Sequence, residues 1–561
     1  MKILAIHDGH NASVCLLDNG KIIYASQEER YTNIKNQGGL PVKCLEFIDS
    51  TFNLNSIDKI IFVGNSMNTS DWSRESILNS YKNSDSKLNF IKHKIKNNKQ
   101  IYSLYQSKTN IRNKYPKVYL DAKTIDHHIC HASTAYFGLG NYDDKILVIT
   151  ADGEGDSKSA TASIGYKGNL KEIITIPAKD SLGRLYSYIT YLYNMIPYEH
   201  EYKIMGLAPY CNDKIRIEEC KLKLRKIINF SDENSLKWTY LGKYSSIQNA
   251  GKEIKNIFNS TRFDVMATSI QELVEEIIVE WITRVIKYTG IKKITLAGGI
   301  FMNVKANMLI SQIEELEDIF IFPSCGDESN IFGAVWNQYF QETKSYPDKL
   351  EHFYFGTEIE FLEEEILEQA KINNWKIQKQ DNIEKEIAIL LSKGEIVGRV
   401  KGNMEFGARS LGNRAILANP SIDGVLKTIN EMIKGRDFWM PFAPSLLEED
   451  LKKYFQINSK VLDYDYMIFT ANSNPNIRKY AKNALHPYDF TGRPQAVTQN
   501  QNSDYYNLLK YYKEITGESL ILNTSYNLHG LPMVSNMEQA LYVFKNSKLK
   551  FLALNNYLLK K

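Results

Sequence analysis

Two stretches of this chain nearly repeat each other, one starting at Lys2 and the other at Lys145. The first reads K-I-L-A-I and the second K-I-L-V-I, identical at four of five positions, and each runs on to an Asp-Gly pair, Asp8-Gly9 and Asp152-Gly153. A β-hairpin pattern follows both. In the first copy Ala12 to Leu17 and Lys21 to Ala25 flank Asn19-Gly20, a pair that tolerates the positive φ of a type I′ turn. In the second, Ala160 to Gly165 leads to a turn expected at Gly168-Asn169. Strand, Asp-Gly and hairpin recurring in this way suggest an internally duplicated α/β unit, against the plainer reading of two unrelated hairpins.

Ser269-x-x-Glu272 has the form of a capping box, with apolar periodicity through Ile286 and Gly290 as a stop, which predicts a long amphipathic helix beginning near Ser269. Lys293 to Ala297 reads as a strand ending in Gly298-Gly299, followed by a helical stretch bearing Asn303 and Asn307. Glycines at such a junction let backbone N–H groups approach a nucleotide with no Cβ in the way. Pattern weakens over residues 341–348, so a boundary is expected near residue 350, dividing the chain into 1–350 and 351–561. Of the 561 residues 43% are apolar and 12% aromatic, enough for buried cores in both parts and too many for a disordered chain.

Sixty-nine basic against 65 acidic side chains leave +4, too little over this length for charge alone to imply a nucleic-acid or membrane partner. Locally, residues 91–117 carry eight Lys or Arg and no Asp or Glu, with Tyr102, Tyr105 and Tyr115 interleaved; this reads either as a polyanion surface or as a solvated face. The N-terminus reaches His7 and Asp8 after four apolar residues, with no signal-peptide h-region. No run approaches the ~18 apolar residues of a membrane span. A cytoplasmic location is the expectation. The six cysteines show no C-x-x-C pair, which fits reduced thiols and argues against a zinc ribbon.

Chemistry concentrates in two groups of residues. His127 and His131 stand one helical turn apart and can share one metal ion with carboxylates from elsewhere; Asp152 and Asp327 sit in glycine-rich turns suited to that. The second half spreads cations through glycine-rich surroundings: Arg409, Arg414, Lys434, Arg436 and Arg493. Guanidinium forks match phosphate oxygens bidentately and a lysine adds a point charge, so several together would make a small-anion pocket; singly, each reads as a surface ion pair.

Several separated motifs make the chain resemble the ATP-dependent O-carbamoyltransferases, the family of nodulation-factor, cephem-antibiotic and aminoglycoside carbamoyltransferases. They are Gly9-His10-Asn11-Ala12-Ser13, Glu28-Glu29-Arg30 through Lys35, His127 to His131, K-I-M-G-L-A-P-Y from Lys203 to Tyr210, Gly298-Gly299 with Asn303, and Gly326-Asp327. In the second half come M-E-F-G-x-R-x-L-G-x-R from Met404 to Arg414, Pro441 to Pro444, and Asn523-Thr524-Ser525-Tyr526-Asn527.

The resemblance implies a mixed α/β chain: an N-terminal duplicated ASKHA (RNase H-like) domain over 1–350 fused to a C-terminal YrdC-like α+β domain over 351–561. The YrdC-like domain is expected to form carbamoyl-adenylate from carbamoyl phosphate and ATP, and the ASKHA domain to pass the carbamoyl group to a hydroxyl of a small molecule or sugar. The resemblance further implies His10 as general base, Asp8 beside the acceptor, and His127, His131, Asp327 and Asp152 around a divalent metal. That metal is Fe(II) in the family, although such donors serve manganese or zinc as well, and magnesium can accompany ATP. Lys35, Gly298, Gly299, Asn303 and Arg409 are carried over as nucleotide contacts, and Lys434, Arg493 and His529 as contacts of carbamoyl phosphate.

The chain departs from the family pattern at Asn11, where Asp is common, at Ala408, where Pro precedes the Arg, and at Ser329-Asn330, where Gly is expected. His529 and Leu531 stand where Arg and Glu are usual, and a neutral His529 would hold phosphate less tightly, making adenylate formation slower or pH-sensitive. A tRNA threonylcarbamoyl-type transferase would share both folds but is opposed by the near-neutral charge. An inert nucleotide-binding scaffold is opposed by the retention of His10, His127, His131 and Asp327. The hydrogenase-maturation relative would bring zinc modules whose Cys pairs are missing. No membrane or nucleic-acid partner is expected.

Overall fold

The two K-I-L-x-I stretches open two five-stranded sheets of the same topology. In the first, Lys2–His7 pairs antiparallel with Ser13–Asp18, and that strand with Lys21–Gln27. On its other side Lys2–His7 pairs in parallel with Lys59–Val63, which pairs in parallel with Lys123–Ile125. The second sheet repeats every step. Ile146–Gly155, Lys158–Tyr166 and Asn169–Pro177 form the meander, and Lys293–Ala297 and Asp318–Ile321 the parallel side. The near-repeat thus falls in the central strand of each sheet, where its I-L-x-I run is buried because both faces of the strand are covered.

Asn19 and Gly20 take φ 48° and 91°, as a type I′ turn requires. In the second meander the turn lies one residue earlier than Gly168-Asn169: Lys167 and Gly168 take φ 49° and 77°, and Asn169 already pairs with Tyr166. The fifth strand of each sheet feeds a helix, His127–Leu139 and Asn330–Thr343. These two helices touch at Gly333, where a Cβ would come within 2.0 Å of Cys130 O, and Thr134 Oγ1 accepts from Gly333 N at 3.0 Å.

The long helix is Phe263–Thr289, so it starts well before the S-x-x-E pattern. Ser269 is buried within it and donates to Val265 O at 2.7 Å, which is a mid-helix bond and not a cap. Gly290, at φ 69°, does end the helix.

This architecture comes from a computed structural model that describes residues 1–65, 72–82 and 122–561; the basic stretch 91–117 lies outside them. The mixed α/β chain divides into two units, one of Met1–Glu28 and Asn36–Lys349, the other of Leu350–Lys561 together with Glu29–Lys35. The second unit is built on an eight-stranded sheet whose middle strands are Phe551–Leu554, Val397–Val400, Arg414–Ala418 and Ile521–Ser525. Helices Ile383–Ser392 and Ser503–Thr516 share its core through Ile387, Leu391, Leu508 and Tyr512. Among the described residues no helix is long and apolar enough to cross a membrane.

Candidate active site

His127 and His131 begin their helix, whose start Asp126 caps by accepting from Ile129 N at 3.0 Å. The duplication sets Asp327 just before the equivalent helix of the second half, and Asp152 near the end of that half's central strand. One donor atom from each of the four lies within 4.8 Å of the others. Asp327 Oδ1 is 3.3 Å from Nε2 of both histidines, and Asp152 Oδ2 is 3.5 Å from His127 Nε2. Although buried, His127 Nε2 makes no hydrogen bond among the described residues. Two imidazoles and two carboxylates around a buried nitrogen left without a hydrogen bond fit a divalent cation, and N and O donors leave its identity open.

Electrostatics ties the group together. Burial would lower the His127 pKa, but Asp327 and Asp152 outweigh it and hold it well above the ordinary imidazole value. Burial of Asp327 is likewise outweighed, by His127 and His131, and its carboxyl is held well below the usual range. His128 takes no part. Its Nδ1 bonds Thr150 Oγ1 at 2.8 Å, and burial, reinforced by the neighbouring histidines, pushes it down to about 3.

The two glycines have a reason that the nucleotide argument did not contain. Gly299 N donates to Asp152 Oδ1 at 2.9 Å, and a Cβ on Gly299 would lie 2.6 Å from that oxygen. On Gly298, at φ 115°, a Cβ would lie 2.2 Å from Ala151 O. Asn303 caps the helix Val304–Ser311, and two hydrogen bonds of 2.9 and 3.0 Å join its amide to that of Gln271.

Asp8 is buried and His10 half-buried just beyond the first central strand, at the position that Asp152 and its neighbours occupy in the second. Sequence reasoning passed over His7, which links the two halves of the site. Its ring centroid is 6.5 Å from that of His127, and its Nε2 lies 3.0 Å from His10 O. Burial, chiefly, pushes His7 down to about 4, so the neutral ring donates to that carbonyl. A histidine closing an apolar strand before Asp-Gly was the available signal. Asn11 adopts φ 61°, donates to Glu328 Oε2 at 3.2 Å and accepts from Gln27 Nε2 at 2.8 Å. An Asp there would face the Glu328 carboxylate, which accounts for the amide.

In the second unit the cations do converge. Arg493 is depressed well below the usual guanidinium range by burial, then by Arg409 and Arg436. Lys434 is depressed by burial, then by Arg436 and Lys35. The acceptors that hold the Lys434 ammonium are neutral: Asn527 Oδ1 at 2.6 Å, Ser525 Oγ at 3.1 Å, Asn527 O at 3.3 Å and Ser525 O. Arg436 Nη2 donates to Thr524 Oγ1 at 3.0 Å, and the His529 side chain lies 3.9 Å from where a Gly435 Cβ would be. Lys35, carried over as a contact of the first domain's nucleotide site, clusters instead with the second unit. Arg414 serves structure: fully buried, it donates to Gly402 O and Asn413 O, both at 3.0 Å, and so pins its own loop. The N-T-S-Y-N motif thus contributes Thr524, Ser525 and Asn527 as holders of the cations, a role that a list of charged residues does not reveal.

An imidazole–carboxylate cluster lies in one unit and a clustered set of cations in the other. The family model "Carbamoyltransferase N-terminus" matches residues 2–336 and "Carbamoyltransferase C-terminus" residues 388–561. The chain belongs to the carbamoyltransferase family and is an enzyme that transfers a carbamoyl group. It is 31% identical to the uncharacterized protein MJ1051 of Methanocaldococcus jannaschii, over 100% of this chain and 99% of that one. It is 28% identical to nodulation protein NolNO of Sinorhizobium fredii, over 98% of this chain and 79% of the relative. The 3'-hydroxymethylcephem-O-carbamoyltransferase of Amycolatopsis lactamdurans is 26% identical over 43% of this chain and 44% of its own.

Proposed function

We propose that the second unit, read as YrdC-like, forms carbamoyl-adenylate from carbamoyl phosphate and ATP, and that the first, read as a duplicated ASKHA domain, transfers the carbamoyl group to a hydroxyl of a small molecule or sugar. The observation that carries this reading is the division of labour in charge. Lys434, Arg436, Arg409 and Arg493 gather in one unit, while His127, His131, Asp152 and Asp327 gather in the other with His10 nearby.

In the first half-reaction water displaces phosphate from carbamoyl phosphate, a carbamate oxygen attacks the α-phosphorus of ATP, and pyrophosphate leaves with the electron pair. Arg409, Arg436 and Arg493 bind the phosphate oxygens, and Lys434, fixed by Ser525 and Asn527, supplies a directed point charge. In the second, the acceptor hydroxyl attacks the carbamoyl carbon, its proton passes to His10, and the bond to AMP breaks. Asp8 orients the acceptor hydroxyl. When bound between His127, His131, Asp152 and Asp327, a divalent ion would neutralise the phosphate of the leaving AMP.

The test is a half-reaction without acceptor: protein, carbamoyl phosphate, labelled ATP and Fe(II) or Mn(II), with pyrophosphate and carbamoyl-adenylate followed. Release that depends on carbamoyl phosphate is expected. No release while ATP still binds would overturn the assignment and point to a different acyl donor. Arg493→Ala is expected to lower adenylate formation more than transfer, and His127→Ala the reverse; equal losses in both halves would contradict the division.

A further inference from the structure

His10 does not stand alone. Its ring centroid lies 5.7 Å from that of Trp72 and 5.3 Å from that of Tyr198, and those two rings meet edge-on at 85° with centroids 6.1 Å apart. They form an aromatic corner against the candidate base. All three side chains are half-buried, so the corner is within reach of a small molecule and is not sealed into the core.

Two features mark it as built for a ligand. Tyr198 adopts φ 66°, a left-handed conformation that is costly for a bulky residue and persists only where the surroundings impose it. Here Tyr198 N donates to Glu201 Oε1 at 2.7 Å and the Arg184 guanidinium sits 5.1 Å from the ring. Trp72 Nε1 is the second feature: it is buried and among the described residues has no hydrogen-bond partner. Trp72 is also seated deliberately, since a Cβ on Gly38 would lie 2.5 Å from its own Cβ.

Both arginines at the rim are paired. Arg74 makes a bidentate pair with Glu199, at 2.7 and 2.9 Å, and Arg184 pairs with Glu154 at 3.1 Å. A corner of aromatic faces with one indole N–H and compensated charges suits a neutral ring that has an apolar C–H face and polar edges. We propose that Trp72 and Tyr198 form the acceptor subsite and that it takes a neutral pyranose, stacked on the rings with a hydroxyl turned to His10. This rests on the transfer reading and narrows it, because charged sugars are excluded.

The test is binding of methyl glucoside and N-acetylglucosamine to the full chain, followed by saturation-transfer NMR, with protonated glucosamine and glucuronate as charged counterparts. Neutral sugars are expected to bind about tenfold tighter than either charged one in the wild type, and Trp72→Phe to weaken them by loss of the indole donor. Tyr198→Gly separates a binding role from a structural one. Relief of the left-handed backbone should offset part of the lost ring packing, so that the chain stays folded while sugar binding falls about tenfold. Tighter binding of a charged sugar, or neutral binding unchanged in Trp72→Phe and Tyr198→Gly, would overturn the proposal. Pyrophosphate release in the same preparation reads the parent assignment separately: its absence with sugar binding intact removes the adenylate chemistry and leaves the subsite.

Discussion

At the residue scale, chemistry was legible and contact was not. His127, His131, Asp327 and the separated cations could be picked out by type, since few side chains ligate metals or bind phosphate. Which of them meet depends on chain crossings that no local pattern records, so Arg414 looked equal to Arg493 although it spends its donors on carbonyls. His529 lies beside Gly435, which stands between Lys434 and Arg436 in sequence, and an imidazole there offers fewer donors to a phosphate than a guanidinium fork. His529→Arg is therefore expected to lower the KM for carbamoyl phosphate about tenfold with little change in kcat, as read from initial rates of pyrophosphate release. Glu201 supplies a pH dependence. Burial raises its carboxyl from 4.5 to about 7, against hydrogen bonds from Ser187 and the backbone that lower it. The folded state thus holds this proton more tightly than the unfolded chain, so the stabilisation is complete below the unfolded value and is lost as pH rises through about 7. Glu201→Gln should flatten that part of the melting-temperature profile; an unchanged slope would assign it to another group.

At the scale of elements, the duplication was readable because a central strand needs an unbroken apolar run and a hairpin needs residues that accept positive φ. Those requirements are local and recur in both halves. The capping box misled for the same reason: S-x-x-E is a local pattern, and inside a helix the Ser269 hydroxyl is satisfied by Val265 O without any helix start. Gly290 carried the sounder signal, because only glycine is free of a steric penalty at φ 69°. A Cβ there would meet nothing within 4 Å among the described residues, so Gly290→Ala isolates the backbone cost. It should lower unfolding free energy by about 1 kcal/mol in urea titration, while Ser269→Ala should not show the loss of a cap.

At the scale of the whole molecule, the boundary near residue 350 describes the chain incompletely, because Glu29–Lys35 clusters with the second unit. Nothing in the charge or periodicity of E-R-Y-T-N-I-K announces that. Its anchor is Arg30, buried, with Nη2 donating to Gly407 O at 2.7 Å, Nη1 paired with Glu29 at 2.9 Å, and its own carbonyl accepting from Ser535 Oγ. Gly407 is at φ 89° in the turn that leads to Arg409, so Arg30 holds the backbone from which one of the clustered cations projects. A fragment covering only 350–561 would keep the sheet and its core but leave the Gly407 carbonyl without this donor and lose Lys35 from the cation group. Hydrogen bonds to charged groups contribute about 1.5–3 kcal/mol, so Arg30→Ala should destabilise the second unit by roughly that amount. It should also slow adenylate formation, whereas Arg30→Lys, which keeps the charge without the fork, should recover less than full activity. Fusing residues 29–35 to the fragment through a flexible linker should restore part of the lost stability; if the bare fragment is already as stable and as active in pyrophosphate release as the full chain, the segment has no such role.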